Sequence, residues 1–276
     1  YSEKGKQIIQ ALNGFGPKDS ELLGKAVYKR YGVAKNGYDI VSNQFSIHYF
    51  FQNKNTFYNF IRNLNENCKI GGHLIGTCYD GKRVFQKLAN KETGESIFIM
   101  NDNDTKMWDI KKLYNQTTFP DDETSLGYPI DVYQESINKT FKEYLVNFDF
   151  LTRVLENYGF VPITIEEANS IGFPKAIGSF EELFDVMNDD IANRKLNKSN
   201  IGKALNMSVK EKSISFLNNY FIFKKVRNPN AKEITSQVLN ITDEEKKESK
   251  NQTEQFRADL KPNKKRTVKK YKKKIK

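Results

Sequence analysis

The stretch Tyr38-Asp39-Ile40-Val41-Ser42-Asn43-Gln44-Phe45-Ser46-Ile47-His48-Tyr49-Phe50-Phe51 decides how the chain is read. Ile40 and Val41 are β-branched and suit a short buried strand. The polar residues Gln44 and Ser46, then the His-Tyr-Phe-Phe cluster, predict a loop leaving that strand's carboxyl end. Open parallel sheets bind ligands just beyond the carboxyl ends of their strands. Gln44, Phe45, His48 and Tyr49 are therefore the first candidates for chemistry.

The next residues support this placement. Asn53 can cap a helix from about Lys54 to Asn67, with Phe57, Phe60, Ile61 and Leu64 on one face. Lys69-Ile70-Gly71-Gly72 ends that helix, because glycine takes the left-handed conformation freely. His73-Leu74-Ile75-Gly76-Thr77 predicts a second strand. Strand, helix and strand form the crossover unit of a parallel sheet.

Tyr-Asp-Ile-Val-Ser-x-Gln-Phe-x-x-His-Tyr, a helix, then Gly-Gly-x-x-Ile-Gly-Thr resembles the middle of the mRNA cap guanine-N7 methyltransferases. The wording is most similar to the methyltransferase domain of large DNA virus capping enzymes. The resemblance continues through Val132–Asn138, Glu143–Phe148 and Ser215–Phe223, and covers most of residues 1–226. It implies an α/β chain of class I (Rossmann-like) methyltransferase fold and S-adenosylmethionine as cofactor. The implied partner is the capped 5′ end of RNA, together with triphosphatase and guanylyltransferase domains. The expected location is a virion or the host cytoplasm, with the nucleus as the alternative.

Composition bounds the reading. The 276 residues are 38% hydrophobic and 29% charged, enough for a core with room for an unstructured segment. No apolar run approaches the ~20 residues that span a bilayer. Cys68 and Cys78 are the only cysteines, which predicts a reducing compartment and no disulfide framework. His48 and His73 are not spaced for a zinc site. Of the net charge of +11, ten charges lie in residues 261–276, which contain no acid. That tail reads in three ways: a solubilising linker, a salt-dependent phosphate contact, or a nuclear-import signal.

In chain order, residues 1–34 predict two helical pieces, the first capped at Ser2 and the second starting at Ser20, broken by Asn13-Gly14-Phe15-Gly16-Pro17. They read as a packing insert on the sheet, with an active-site flap as the alternative. Residues 82–89 predict a short helix. Ser96–Met100 and Trp108–Tyr114 predict antiparallel strands around Asn101-Asp102-Asn103-Asp104. That acidic turn lacks the glycine and distal glutamate of a calcium loop. Glu143 is expected to open the helix that carries Leu145, Phe148, Leu151, Val154 and Leu155. Phe160–Ile165 predicts a strand, with Pro162 marking an edge. Residues 166–212 read as a helical insertion, Ile214–Val226 as the last strand, and 227–276 as a disordered linker and lysine-rich tail.

The chemistry implied by the resemblance needs no general base. Guanine N7 is nucleophilic without deprotonation, so orientation and proximity carry most of the catalysis. The residues that matter should be binders, and none is expected to be catalytic. The resemblance gives His48, Tyr49, Glu143 and Tyr220 to the cap guanine. Glu143 would accept from the guanine N1–H and its 2-amino group together. Gln44, Phe45 and Tyr49 are given to the cofactor, Ser42 more weakly, and His73 reads as structural.

The sequence departs from the family at its start. A glycine-rich turn should cradle the methionine end of the cofactor, and an acidic residue on the next strand should hold its ribose. No Gly-x-Gly precedes Tyr38 except Gly14-Phe15-Gly16, which runs into Pro17. The chain also opens on Tyr1 in place of Met. The expectation is the C-terminal two-thirds of a methyltransferase domain, lacking the first strands. Two functions follow: part of a cap methyltransferase, inactive as a fragment, or a catalytically silent subunit that stimulates a capping partner. One structural expectation follows from both. The strand at Tyr38–Val41 should be a sheet edge with no neighbour on one side.

Overall fold

The computed structural model describes residues 3–229, and the acidic segment and lysine tail that follow lie outside them. Helices α1 (Glu3–Leu12) and α2 (Ser20–Tyr28) form a hairpin; α2 starts at Ser20 as expected, with Asp19 as its cap. Strand β1 (Tyr38–Gln44) leads into a 3-10 turn (Ile47–Gln52), helix α3 (Lys54–Asn67) and strand β2 (Cys68–Tyr79). The strand–helix–strand crossover is as expected, and β1 and β2 are parallel from Ile40↔His73 to Gln44↔Thr77. Asn53 and Thr56 close a reciprocal cap at the start of α3.

After β2 come α4 (Gly81–Lys87), β3 (Ser96–Met100), β4 (Lys106–Lys112), β5 (Pro129–Gln134) and β6 (Lys139–Tyr144). Strands β3-β4-β5-β6 make a four-stranded antiparallel sheet. The acidic turn joins β3 to β4 as a hairpin, closed by a hydrogen bond from Asn101 N–H to the Thr105 carbonyl. The chain continues with α5 (Phe148–Asn157), β7 (Phe160–Pro162), α6 (Ile165–Ser170) and β8 (Ile177–Ser179). It closes with α7 (Phe180–Ala192), α8 (Val209–Ser215) and β9 (Asn218–Lys225).

Two readings are corrected. Glu143 does not open a helix: it lies on β6, and α5 starts only at Phe148, capped by Asn147. Lys139-Thr140-Phe141-Lys142-Glu143-Tyr144 has no clean period of two to mark it as a strand. The apolar run from Leu145 onward therefore drew Glu143 into the helix reading. Residues 166–212 are also not wholly helical, because β8 within them pairs with β9 from Ile177↔Phe221 to Ser179↔Asn219.

The first sheet has the order β1-β2-β9-β7, with β8 also on β9. β9 is antiparallel to β2 and β7 and is buried along nearly its whole length. A strand buried on both faces needs apolar residues at consecutive positions, and Tyr220-Phe221-Ile222-Phe223 supplies them. One sheet face presents Val41, Leu74, Cys78, Phe221 and Phe223 to α3 and α5, whose Phe57, Ile61, Leu64, Phe150 and Leu151 complete the main core. The other face presents Ile75, Tyr220 and Ile222 to the α6–α7 segment. A second core joins Val84 and Leu88 of α4 to Trp108, Ile110, Ile130 and Val132 of the antiparallel sheet.

Gly76 lets the central strands pack. A Cβ there would stand 2.3 Å from both the Asn43 carbonyl oxygen and the Phe221 ring. Lys225 secures the other end of the sheet. It is 3% exposed, and its ammonium donates to the carbonyls of Asn65 (2.6 Å) and Cys68 (2.8 Å) where α3 runs into β2. A cation at a helix C-terminus answers the unpaired carbonyls of the last turn. Cys68 and Cys78 are both buried and unpaired.

β1 pairs only with β2 among the described residues, so its outer side is an open edge. Ile40 on it is 58% exposed. Pro162 likewise lies on an edge strand, β7.

Candidate functional site

The site forms where β1 ends. The side chain of Gln44 accepts from the Thr77 hydroxyl (2.8 Å) and donates to the Ser42 hydroxyl (3.1 Å). This ties the carboxyl ends of β1 and β2 together across the sheet. Phe45 then takes φ +48°, a left-handed conformation uncommon for a bulky residue. Its amide is held by the Thr77 carbonyl at 2.8 Å. Its ring is 54% exposed and meets Phe180 edge-on at 6.2 Å. Strain of this kind persists where the surroundings hold it, and it clusters at ligand sites.

Ser46 donates to the buried Asn43 side chain (2.8 Å) and starts the 3-10 turn. That turn drives Ile47, His48 and Phe51 inward. The second sheet comes up against it: Gln52 donates to the Tyr144 hydroxyl (2.9 Å), and the Gly127 amide donates to the Phe51 carbonyl (2.9 Å). This docking brings His48 and Glu143 together. Nδ1 of His48 lies 3.6 Å from Oε2 of Glu143, too long for a hydrogen bond. Both side chains are nearly buried. Nε2 of His48 is buried with no hydrogen-bonding partner among the described residues. Tyr49 stands edge-on to His48, with centroids 4.3 Å apart.

Burial decides the charge state of this cluster. It lowers the His48 pKa to about 3 and raises that of Glu143 to about 8. Both groups are thereby held neutral near pH 7. Burial, then the nearby Glu143 charge, pushes Tyr49 up to about 12. Cys78 and Tyr79 also feel Glu143, and burial raises both. Tyr79 is fixed by accepting from the Trp108 indole N–H at 3.0 Å. A buried imidazole with an unpaired nitrogen is costly unless a polar ligand satisfies it.

The structure thus brings His48, Tyr49 and Glu143 into one cluster, and Gln44 and Phe45 into a second just before it. Tyr220 stands apart from the first. It pairs with Thr77 on the sheet face covered by α6 and α7, and its hydroxyl donates to the Lys175 carbonyl at 3.0 Å. His73 on β2 pairs with Ile40 and Lys224, away from both clusters. Sequence reasoning missed Phe180, Gln52 and Tyr144. Tyr144 was findable: Ile130 and Val132 alternate with Asp131 ahead of the turn residues Ser136-Ile137-Asn138, a hairpin signal that puts the residues after the turn on a strand.

The family model of the mRNA (guanine-N(7))-methyltransferase domain matches residues 19–226. The chain belongs to the mRNA guanine-N7 methyltransferase family. A mimivirus protein (Acanthamoeba polyphaga mimivirus) described as a "Probable mRNA-capping enzyme" is 33% identical over 136 residues. That match takes in 48% of this chain and 11% of the viral protein, so the chain corresponds to a small part of that relative. Among solved structures, the CcbJ methyltransferase from Streptomyces caelestis overlaps 70% of this chain and 59% of its own, at 9% identity and TM-score 0.34. An S-adenosylmethionine-dependent methyltransferase from Clostridium acetobutylicum overlaps 68% and 58%, at 8% identity and TM-score 0.30. Overlaps this loose assign no residue.

The reaction of the guanine-N7 methyltransferase family uses S-adenosylmethionine. The residues at the end of β1 fit one side of such a group. Phe45 offers an exposed aromatic face held rigid by its backbone, and Gln44 offers a polar edge. Among the described residues, no strand lies on the outer side of β1 to carry a ribose-binding acid or a glycine-rich turn.

Proposed function

We propose that this chain holds the guanine of an RNA cap between its two sheets, as part of an mRNA guanine-N7 methyltransferase. The observation that carries the reading is the buried His48–Glu143 pair with its unpaired imidazole nitrogen. Guanine offers a complementary edge: N1–H and the 2-amino group donate, and O6 accepts. The Glu143 carboxylate takes the two donors, His48 faces the base oxygen, and Tyr49 gives the base an aromatic neighbour.

The cofactor, when bound, supplies a methyl group on a sulfonium centre. The residues of this chain act by position. Glu143 and His48 fix the rotation of the base, and with it the direction of the N7 lone pair. Gln44 and Phe45 line the cofactor side of the same junction. No residue is required to remove a proton, and effective molarity carries the rate.

In the complete domain we place this chain as the part that follows the first strands, with further polypeptide beside β1 completing the cofactor site. The open β1 edge with its exposed Ile40 supports that placement. Partner domains of a capping enzyme are part of the same reading, supported by the mimivirus relative.

Calorimetry with a cap dinucleotide and with S-adenosylmethionine tests it. The chain is expected to bind the cap dinucleotide, with Glu143→Gln weakening binding about 10- to 100-fold. Equal affinity in the variant would overturn the assignment of Glu143. Cofactor binding and cap methylation are expected only in a longer chain that adds the segment beside β1. Tight cofactor binding by this chain alone would overturn the incomplete-site reading. A longer chain that binds cap without methylating it would favour the stimulatory subunit.

A further inference from the structure

Positive charge within the described residues is concentrated in the α1–α2 hairpin. Residues 3–36 hold seven Lys or Arg against three Asp or Glu, whereas residues 37–229 hold 23 against 24. Lys6 pairs with Glu3. Lys18, Lys25, Lys29 and Arg30 are exposed and make no salt bridge among the described residues.

One of these cations packs on two tyrosines, and two others lie within three positions of Tyr28 in the sequence. The Lys18 ammonium lies 5.5 Å from the Tyr28 ring and 5.7 Å from the Tyr31 ring. The Tyr31 hydroxyl donates to the Gly16 carbonyl at 2.6 Å, which fixes that ring. Lys25 precedes Tyr28 by three positions and Lys29 by four, the spacing that aligns side chains on one helix face. The nearby acids make no salt bridge with this face among the described residues. Asp19 is committed to the amides of Glu21 and Leu22. Glu21 precedes the non-helical Gly24 (φ +72°), so helical spacing does not pair it with Lys25.

Unpaired cations interleaved with aromatic rings suit single-stranded nucleic acid, where lysines meet phosphates and bases stack. We propose that this face of the hairpin grips the RNA chain that follows the cap, through Lys18, Lys25 and Lys29 on phosphates and Tyr28 against a base. The proposal rests on the cap reading above. The hairpin enters β1 at its amino end, and the cap residues lie beyond the carboxyl end. The seven residues of β1 span about 23 Å at roughly 3.3 Å each. A cap dinucleotide on Glu143 leaves the hairpin free, and a longer capped RNA reaches both.

The test is fluorescence anisotropy with the full 276-residue chain, its lysine tail unchanged in every variant. The probes are a cap dinucleotide, a capped RNA long enough to span β1, and the same RNA uncapped. The triple variant Lys18→Gln, Lys25→Gln, Lys29→Gln is expected to lose about tenfold or more in RNA affinity at low salt. Its salt slope should fall by about 2, at ~0.7 per single-strand phosphate contact. Cap dinucleotide binding should not change, and the corresponding triple arginine variant should bind RNA as the unaltered chain does. Unchanged RNA affinity and slope in the glutamine variant would overturn the proposal. So would an arginine variant as impaired as the glutamine one, since shape and not charge would then be the cause. If the unaltered chain fails to distinguish capped from uncapped RNA, the cap reading falls. The hairpin effect, read on uncapped RNA, would still stand or fall by itself.

Discussion

Oε2 of Glu143 stands 3.6 Å from Nδ1 of His48, although one residue lies on the 3-10 turn after β1 and the other on β6 of the second sheet. The two sheets meet at this pair, and the groups are buried without neutralising each other. Their joint desolvation gives the site a measurable dependence on pH.

Cap binding should strengthen as pH rises toward 8. The ionised carboxylate is the form that accepts both guanine donors, and burial holds its pKa at about 8 in the free protein. Affinity is expected to rise up to about tenfold per pH unit below that value and then level off. His48 has titrated long before, at about 3, and Tyr49 and Tyr79 only at about 12; Cys78 lies above its ordinary range. Glu143→Gln should bind weakly with no such rise. Titration of a cap dinucleotide at several pH values checks both.

Stability should show the opposite trend in part of the same range. Glu143 binds its proton more tightly folded than unfolded, because its pKa is raised from 4.5 to about 8. Its contribution is lost as pH rises through that window, by up to about 1.4 kcal/mol per pH unit. His48, lowered from 6.5 to about 3, contributes a gain on rising pH that is complete near 6.5. Between pH 6.5 and 8 only Glu143 of this pair acts, so urea denaturation should show falling stability there. Glu143→Gln should remove that fall.

Gly76→Ala is expected to destabilise the fold by about 1–3 kcal/mol. The added methyl would meet a backbone oxygen and a buried ring, neither of which can turn away. Chemical denaturation reads the change. Stability equal to the unaltered protein would mean that β1 and β9 are less tightly joined through β2 than described.

Lys225→Met keeps the length of the side chain and removes its donors. Two buried carbonyls then lose their partner, at a cost of about 1–3 kcal/mol. Amide exchange should quicken at the end of α3, around Asn65–Cys68, before it quickens elsewhere.

Ile40→Lys should reduce self-association of the isolated chain. It places a charge on an open strand edge, a device that blocks edge-to-edge pairing. Light scattering over time should show slower growth of aggregates with unchanged helical content.

Much of the first sheet was legible because its signals are local. The β1–α3–β2 crossover could be read from β-branched pairs, the Asn53 cap and the glycines at 71 and 72. The second sheet was read only in part. β3 and β4 flank a visible turn, but β5 and β6 lie beside the strongly apolar run Leu145–Leu155, and Glu143 was drawn into that helix. The candidate cluster followed the same division. Gln44, Phe45, His48 and Tyr49 lie within six residues of one another, so strand-end logic found them. The partnership with Glu143 depends on how two sheets dock, which no local period encodes. Tyr220 shows the converse: its position on the last strand was right, but which sheet face it takes depends on register.

Among the described strands of the first sheet, the inner strand β9 is made last. It pairs with β2, β7 and β8, and Lys225 at its end fastens the junction of α3 and β2. During synthesis, β1 and β2 therefore leave the ribosome well before the strand that joins them to β7. Until Asn218–Lys225 appears, β2 has a bare flank and the aromatic core lacks Phe221 and Phe223. Contacts between residues this far apart in sequence form slowly. The nascent chain is thus exposed to misassociation from the emergence of β2 to that of β9, and a chaperone's period of attendance should end when β9 docks.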